Sequence, residues 1–216
     1  MRNRRQSGSA FLFQLGIDEC MSAIEKCSQI VQSWGYYRDQ GRWDELLQTF
    51  HADGRIKVTW FDGLFTDFVD ASRISFKPRA PRPKHVMAPS HIEVHGNRAV
   101  AQTSSAIWGT TEIEDVICEG MTQARFLDRL ECREGDWRII DRTAIYERDL
   151  LIPQRWTDAI DAYMRSEALE QYPAPYRFLA DRLVRRGQEI AADIPCDGDP
   201  LSHTLLKKAR NWMVEA

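Results

Sequence analysis

"EDVICEGMTQARFLDRLECREGDWRIIDRTAIYERD", residues 114–149, alternates apolar and polar side chains on both sides of a Glu134-Gly135-Asp136 turn. Alternation of period two about a glycine turn describes a long β-hairpin. Upstream, "HIEVHGNRAVAQTSSAIW" (91–108) has the same form about Gly96-Asn97, a dipeptide suited to a tight hairpin turn. The two hairpins make a four-stranded antiparallel meander, and the fold is decided by what flanks it.

Before the meander the period is helical. Cys20, Ile24, Cys27, Val31 and Trp34 predict a helix from about Asp18 to Arg38, closed by Gly41. Trp43, Leu46, Leu47 and Phe50, with Asp44 and Glu45 in the first turn and Gly54 beyond the last, predict a second short helix. "RIKVTWF" (55–61) then alternates as a strand through Ile56, Val58 and Trp60, a short helix is expected over 66–75, and "KPRAPRP" (77–83) reads as a loop. This order is that of an α+β domain in which a cone-shaped, curved antiparallel sheet wraps around the N-terminal helices. From Pro153 the helical period returns: Trp156, Ile160 and Tyr163 mark one helix, Tyr176, Leu179 and Leu183 a second, and Asp199-Pro200 opens a third carrying Leu201, Leu205 and Trp212. The expected organisation is a flexible segment over 1–17, the cone domain over 18–152 and a helical C-terminal extension over 153–216 that covers either the mouth of the sheet or a neighbouring subunit.

Of 216 residues 43% are hydrophobic and 10% aromatic, enough for a substantial core. The 29 basic and 32 acidic residues are interspersed, which removes the footprint of a nucleic-acid binder. Cys20, Cys27, Cys118, Cys132 and Cys196 show neither a CxxC pair nor metal-site spacing and read as free thiols in a reducing compartment. The opening "MRNRRQSGSAFLFQLGIDEC" (1–20) lacks a small-residue cleavage site, and no apolar stretch approaches the ~20 residues of a membrane span. A cytoplasmic protein without membrane or nucleic-acid partners is expected.

"YYRDQGRWDEL" (36–46) places Asp39 in the last turn of the first helix, where unsatisfied carbonyls make a carboxylate unfavourable. Either it pairs at the surface with Arg38 or Arg42, or it points inward for a purpose. His85 follows a proline-rich segment and opens "HVMAP" (85–89) at a strand edge; it is either a hydrogen-bonded structural histidine or a group facing the mouth of the cone. His51, on the second helix, and His91 and His95 are expected at the surface, and His203 lies in the tail. Arg142 shares its face with Ile140, Ala144 and Tyr146, so it needs a partner, which is Asp128 on the Phe126 face of the preceding strand or an oxygen of a ligand. Trp34, Tyr36 and Trp60 are core residues or pocket walls. Glycine-rich phosphate loops and Ser-x-x-Lys, HExxH and GxSxG motifs are absent, leaving cofactor-free acid–base chemistry or none.

"YYRDQGRWDELLQTFHADGRI" (36–56), "KHVMAPSHIEVHGNRAVAQ" (84–102) and "RFLDRLECREGDWRIIDR" (125–142), in that order, resemble the SnoaL-like branch of the nuclear transport factor 2-like superfamily, with its cystatin-like cone. That group includes scytalone dehydratase, polyketide cyclases, the lindane dehydrochlorinase, bile-acid dehydratase and formaldehyde-releasing lyases of lignin-dimer breakdown. The likeness spans about residues 20–150. It implies that Asp39 and His85 form a catalytic dyad, the family's tyrosine, aspartate and tryptophan matching Tyr36, Asp39 and Trp43. The second histidine of scytalone dehydratase finds no match in "SSAIWGTT" (104–111), and Tyr36, Tyr37 and Tyr146 are the candidates for its water-holding tyrosines. The lindane enzyme's arginine on the last strand matches Arg142.

The resemblance implies a lyase that needs neither metal nor cofactor, with Asp39 and His85 catalytic and Tyr36, Trp60, Arg142, Tyr146, Trp34 and Phe126 binding a hydrophobic, aromatic or polycyclic hydroxylated substrate. Elimination, as a dehydratase or by C–C cleavage that releases formaldehyde, is the leading expectation. An isomerase or cyclase on a similar substrate and a non-catalytic binding or dimerisation module are the alternatives. A homo-oligomer, dimer or trimer, is expected.

Overall fold

The computed structural model describes residues 21–76 and 82–215. The segment expected over 1–17, Cys20 and most of the "KPRAPRP" loop lie outside these residues.

Helix α1 spans Ala23–Gln40. It starts later than Asp18 because Ser22 and Glu25 form a capping box, the Ser22 hydroxyl accepting the Glu25 N–H while the Glu25 carboxylate accepts the Ser22 N–H. It ends at Gly41, whose φ of 68° is left-handed and whose missing Cβ would meet the Phe76 ring at 2.8 Å. Helix α2 is only Trp43–Leu47. The expected extension through Phe50 fails because Phe50 opens strand β1 (Phe50–Val58), where its ring stacks on Phe65 at 3.6 Å between centroids. An apolar residue at a helical interval suits a strand start equally well. Gly54, read as a helix stop, instead lies inside β1 at a register shift, where a Cβ would come within 2.8 Å of the Phe50 ring. His51 moves with it, off any helix and into β1, with Nε2 2.9 Å from the Glu131 carbonyl oxygen.

Trp60 is in the turn to a short strand that periodicity did not reveal, β2 (Phe61–Leu64), which leads into α3 (Phe65–Ser75). There follow β3 (Lys84–Met87), β4 (His91–His95), β5 (Arg98–Ile113), β6 (Val116–Arg133) and β7 (Asp136–Pro153). The sheet runs β2-β1-β7-β6-β5-β3, with β4 also on β5. All pairings are antiparallel except β1 with β7. Bulges interrupt the β6–β7 register at Gln123/Ala124 and at Arg129/Leu130. Bulges bend and twist long strands, and here they curve the sheet around α1. The second bulge also corrects the strand face assigned to Arg142. Ile139, fully buried, is the inward residue before the bulge, Ile140 is the extra one, and Arg142, Ala144 and Tyr146 face inward after it.

The concave core joins Cys27, Val31 and Trp34 of α1 to Phe65 and Phe68 of α3 and to Phe126, Leu130, Ile139 and Ala144 of the sheet. The C-terminal tail forms α4 (Asp158–Met164), α5 (Glu167–Glu170), α6 (Arg177–Val184) and α7 (Pro200–Val214). Trp156, assigned to the first tail helix, precedes it and is exposed, because Thr157 caps that helix. Helix α7 covers the convex face, Ala209 and Met213 packing on Val100, Leu127 and Ile145 while Trp212 lies against Arg98 and Arg129. Helix α6 lies over the open end of the concave side, so one part of the tail covers the mouth. No helix among the described residues is long and apolar enough to cross a membrane.

Candidate active site

Between α1, α3, the concave sheet and α6 lies a cavity of about 590 Å³. Trp34, Trp60, Phe68, Phe126 and Ala144 supply apolar wall, and Asp39 and His85 meet at its edge.

Asp39 is 7% exposed, and its two oxygens go to one residue: Oδ2 accepts the backbone N–H of His85 at 2.7 Å and Oδ1 lies 2.6 Å from His85 Nδ1. The surface pairing with Arg38 or Arg42 does not form; Arg42 instead pairs with Glu45. A carboxylate accepts, so Nδ1 carries a proton, and in the neutral ring the lone pair is on Nε2. Among the described residues Nε2 has no hydrogen-bond partner, and His85 lines the cavity. The ring is also held edge-on by Trp34, 5.3 Å between centroids. Gly35 lets α1 approach β3 this closely, since a Cβ there would meet Met87 Cγ at 2.9 Å. The helix end that disfavours a carboxylate is thus offset by two charge-assisted hydrogen bonds.

Trp34, Trp60, Phe126 and Tyr146 line the cavity with the dyad, whereas Tyr36 and Arg142 do not. Tyr36 is 57% exposed, packed beside Tyr37 and Arg42. At 3.6 residues per turn it projects about 160° from Trp34, on the side of α1 away from the cavity wall that Trp34 forms. Arg142 is fully buried in a bidentate pair with Asp128, Nε to Oδ1 at 2.6 Å and Nη2 to Oδ2 at 2.7 Å. Its guanidinium lies against both Trp34 and Phe126, 4.6 and 4.5 Å from the ring centroids. It therefore supports two cavity walls from behind, and burial pushes the Asp128 carboxyl up against the opposing pull of Arg142.

Tyr146 reaches the cavity with its hydroxyl engaged. It accepts the Thr59 N–H at 3.1 Å and pairs with the Thr59 hydroxyl, and burial pushes its pKa up to about 12. It stays a neutral phenol. Sequence reasoning missed Arg38, Thr59, Phe68, Arg82, Leu179 and Arg182, all on the cavity wall. Arg38, four residues after Trp34, carried the signal of a shared helix face; the α6 residues lay in a tail whose target the sequence left open. Among the described residues no group of three or more histidine, cysteine, aspartate or glutamate side chains comes together to hold a metal ion. Cys27, Cys118, Cys132 and Cys196 form no disulfide.

A PEP2-like protein of Fusarium vanettenii is 26% identical over 221 residues, covering 95% of this chain and 91% of its own. An uncharacterized protein of Aspergillus terreus is 30% identical over 188 residues, covering 79% of this chain and 68% of its own. Among solved structures, a hexachlorocyclohexane dehydrochlorinase (LinA) Type2 superposes with a TM-score of 0.51 at 10% identity, over 68% of this chain and 95% of that one, a likeness of fold. Residues 19–143 match the SnoaL-like domain, a stretch that contains α1, the whole first hairpin and both members of the Asp39–His85 pair. The chain belongs to the SnoaL-like family.

Proposed function

We propose that this protein is a cofactor-independent lyase that uses Asp39 and His85 for elimination on a hydrophobic, aromatic or polycyclic hydroxylated small molecule. The observation that carries the reading is the 2.6 Å contact between Asp39 Oδ1 and His85 Nδ1 at the wall of an aromatic-lined cavity. A purely structural pair leaves unexplained why the imidazole borders the cavity with Nε2 free of protein partners among the described residues.

His85 Nε2 takes a proton from the substrate, and Asp39 stabilises the imidazolium that forms. If the proton leaves a carbon, the C–H electron pair becomes a double bond as hydroxide departs from the neighbouring carbon, and the imidazolium returns the proton to give water. If it leaves a hydroxymethyl O–H, that electron pair becomes the carbonyl of formaldehyde. The C–C pair then forms a double bond as hydroxide departs from the next carbon, and the imidazolium returns its proton to give water. General-base help of this kind contributes roughly 10²- to 10⁴-fold, the remainder coming from orientation in a closed pocket.

The test is a screen of aromatic and polycyclic hydroxylated compounds followed by product mass. Loss of water or of formaldehyde supports elimination, whereas an unchanged mass points to isomerisation. In His85→Ala the turnover should vanish while the circular dichroism spectrum stays native. Full activity in that variant overturns the proposal.

A further inference from the structure

Four guanidinium groups, those of Arg38, Arg82, Arg182 and Arg186, line the cavity, and among the described residues none has a carboxylate oxygen within 4.0 Å. The one carboxylate on the described wall, Asp39, is committed to His85. Acids are not scarce, since the chain has 32 against 29 bases. Arg185, the C-cap of α6, does not line the cavity and pairs with both Asp181 and Glu114. Arg182 and Arg186, on either side of it in the sequence and on the cavity wall, have no such partner.

Arg182 shows most clearly that this is built. It is 9% exposed, with Nε donating to the Phe178 carbonyl at 3.1 Å and Nη2 to the Thr122 hydroxyl at 3.3 Å. Its Nη1 lies over Gly120, where any Cβ would overlap it, and Gly120 faces Gly109 across the strands. Asp149 acts on Arg182 only at longer range. Its oxygens are taken by the Thr122 hydroxyl and the Leu179 N–H, and burial pushes its carboxyl toward the neutral form. A guanidinium held out of water with its nearest carboxylate one hydroxyl away is costly, and an anion arriving in the cavity would offset that cost.

Position fixes where such an anion would sit. Thr122 faces Ile107 across one strand pair, and Ile107 faces His85 across the next. Two interstrand steps place Thr122, whose hydroxyl accepts from Arg182, about 10 Å from His85 along the sheet, a span that an aromatic skeleton bridges. We propose that the substrate is an aromatic acid whose anionic group, a carboxylate in the simplest case, is held by Arg182 and Arg186 while its reacting end faces His85. This rests on the reading of His85 as the base. Arg38 and Arg82 add to the positive field of the same cavity.

The test is isothermal titration of the full chain with naphthoate and with biphenyl carboxylate, each beside its neutral counterpart, naphthalenemethanol or biphenylmethanol. The acids should bind roughly tenfold or more tightly than the alcohols, and added salt should weaken only the acids. Arg182→Gln and Arg186→Gln should each lower acid affinity severalfold and leave the alcohols unchanged. Arg186 is exposed, so that variant keeps the fold if Arg182→Gln does not, and Arg186→Lys should retain most of the preference. Equal affinity for acids and alcohols, no binding of either acid, or acid binding unchanged in both glutamine variants overturns the proposal. Because binding is read without turnover, loss of acid preference alongside His85-dependent turnover sinks this inference and spares the dyad. Acid preference in a protein whose His85→Ala variant keeps full turnover sinks the dyad.

Discussion

Asp39 grips His85 at two points, backbone nitrogen and ring Nδ1, so one carboxylate fixes both the position of β3 against α1 and the orientation of the imidazole. The bond to the ring depends on which atom carries the proton. In Asp39→Asn the amide oxygen can still accept the backbone N–H, but the NH₂ then faces Nδ1 and favours the tautomer with the proton on Nε2. The base is thereby capped. Turnover should fall about 10²- to 10⁴-fold with little change in melting temperature, measured by steady-state kinetics beside thermal unfolding. An unchanged kcat would show that Asp39 only holds the strand.

Arg142 and Asp128 are a stability pair behind the site. Breaking a buried bidentate pair strands the remaining charge, so Asp128→Asn alone should cost about 3–5 kcal/mol in urea unfolding. Arg142→Met combined with Asp128→Leu removes both charges and should recover most of that loss. The double variant should also keep turnover, because Arg142 touches Trp34 and Phe126 and not the cavity. Turnover lost in a stable double variant would restore Arg142 to the substrate side.

The meander was legible because β5, β6 and β7 are 16 to 18 residues long, so alternation shows on either side of the bulges that interrupt it. The failures are local and have local causes. At Phe50 one apolar residue fits both periods, and the stacking with Phe65 decides for the strand. At Ile140 a bulge flips the phase, which no single-sequence period can show. Asp39 stood out because it violated a helix-end rule, and its partner lies 46 positions away, a distance that only the family resemblance bridged. Arg182 broke no local rule in its own helix. Its unpaired burial exists only once α6 is laid over Gly120.

Gly41 couples the fold to the dyad, since it ends α1 two residues after Asp39 in the left-handed region and against Phe76. Gly41→Ala puts a Cβ into both a strained φ and an aromatic ring. It should cost at least about 1–2 kcal/mol, read by urea unfolding. Turnover should fall further than stability explains, because the last turn of α1 aims the carboxylate. Wild-type stability in this variant would show that the turn tolerates a side chain.

Tyr146 gives the fold an alkaline limit. The folded state holds its pKa at about 12 against an ordinary value near 10, because burial disfavours the phenolate. The stabilisation this represents is complete below about pH 10 and is lost as pH rises through the folded value of about 12. Tyr146→Phe cannot ionise, but it strands the Thr59 N–H, buried with no exposure, at a cost of roughly 1–3 kcal/mol at neutral pH. The stability gap between wild type and variant should therefore be widest below pH 10 and narrow steadily above it. Other buried groups titrate in both proteins and cancel in the difference. Urea unfolding of the two across that range measures the gap, and a constant difference would mean that the Tyr146 phenolate is not excluded from the folded state.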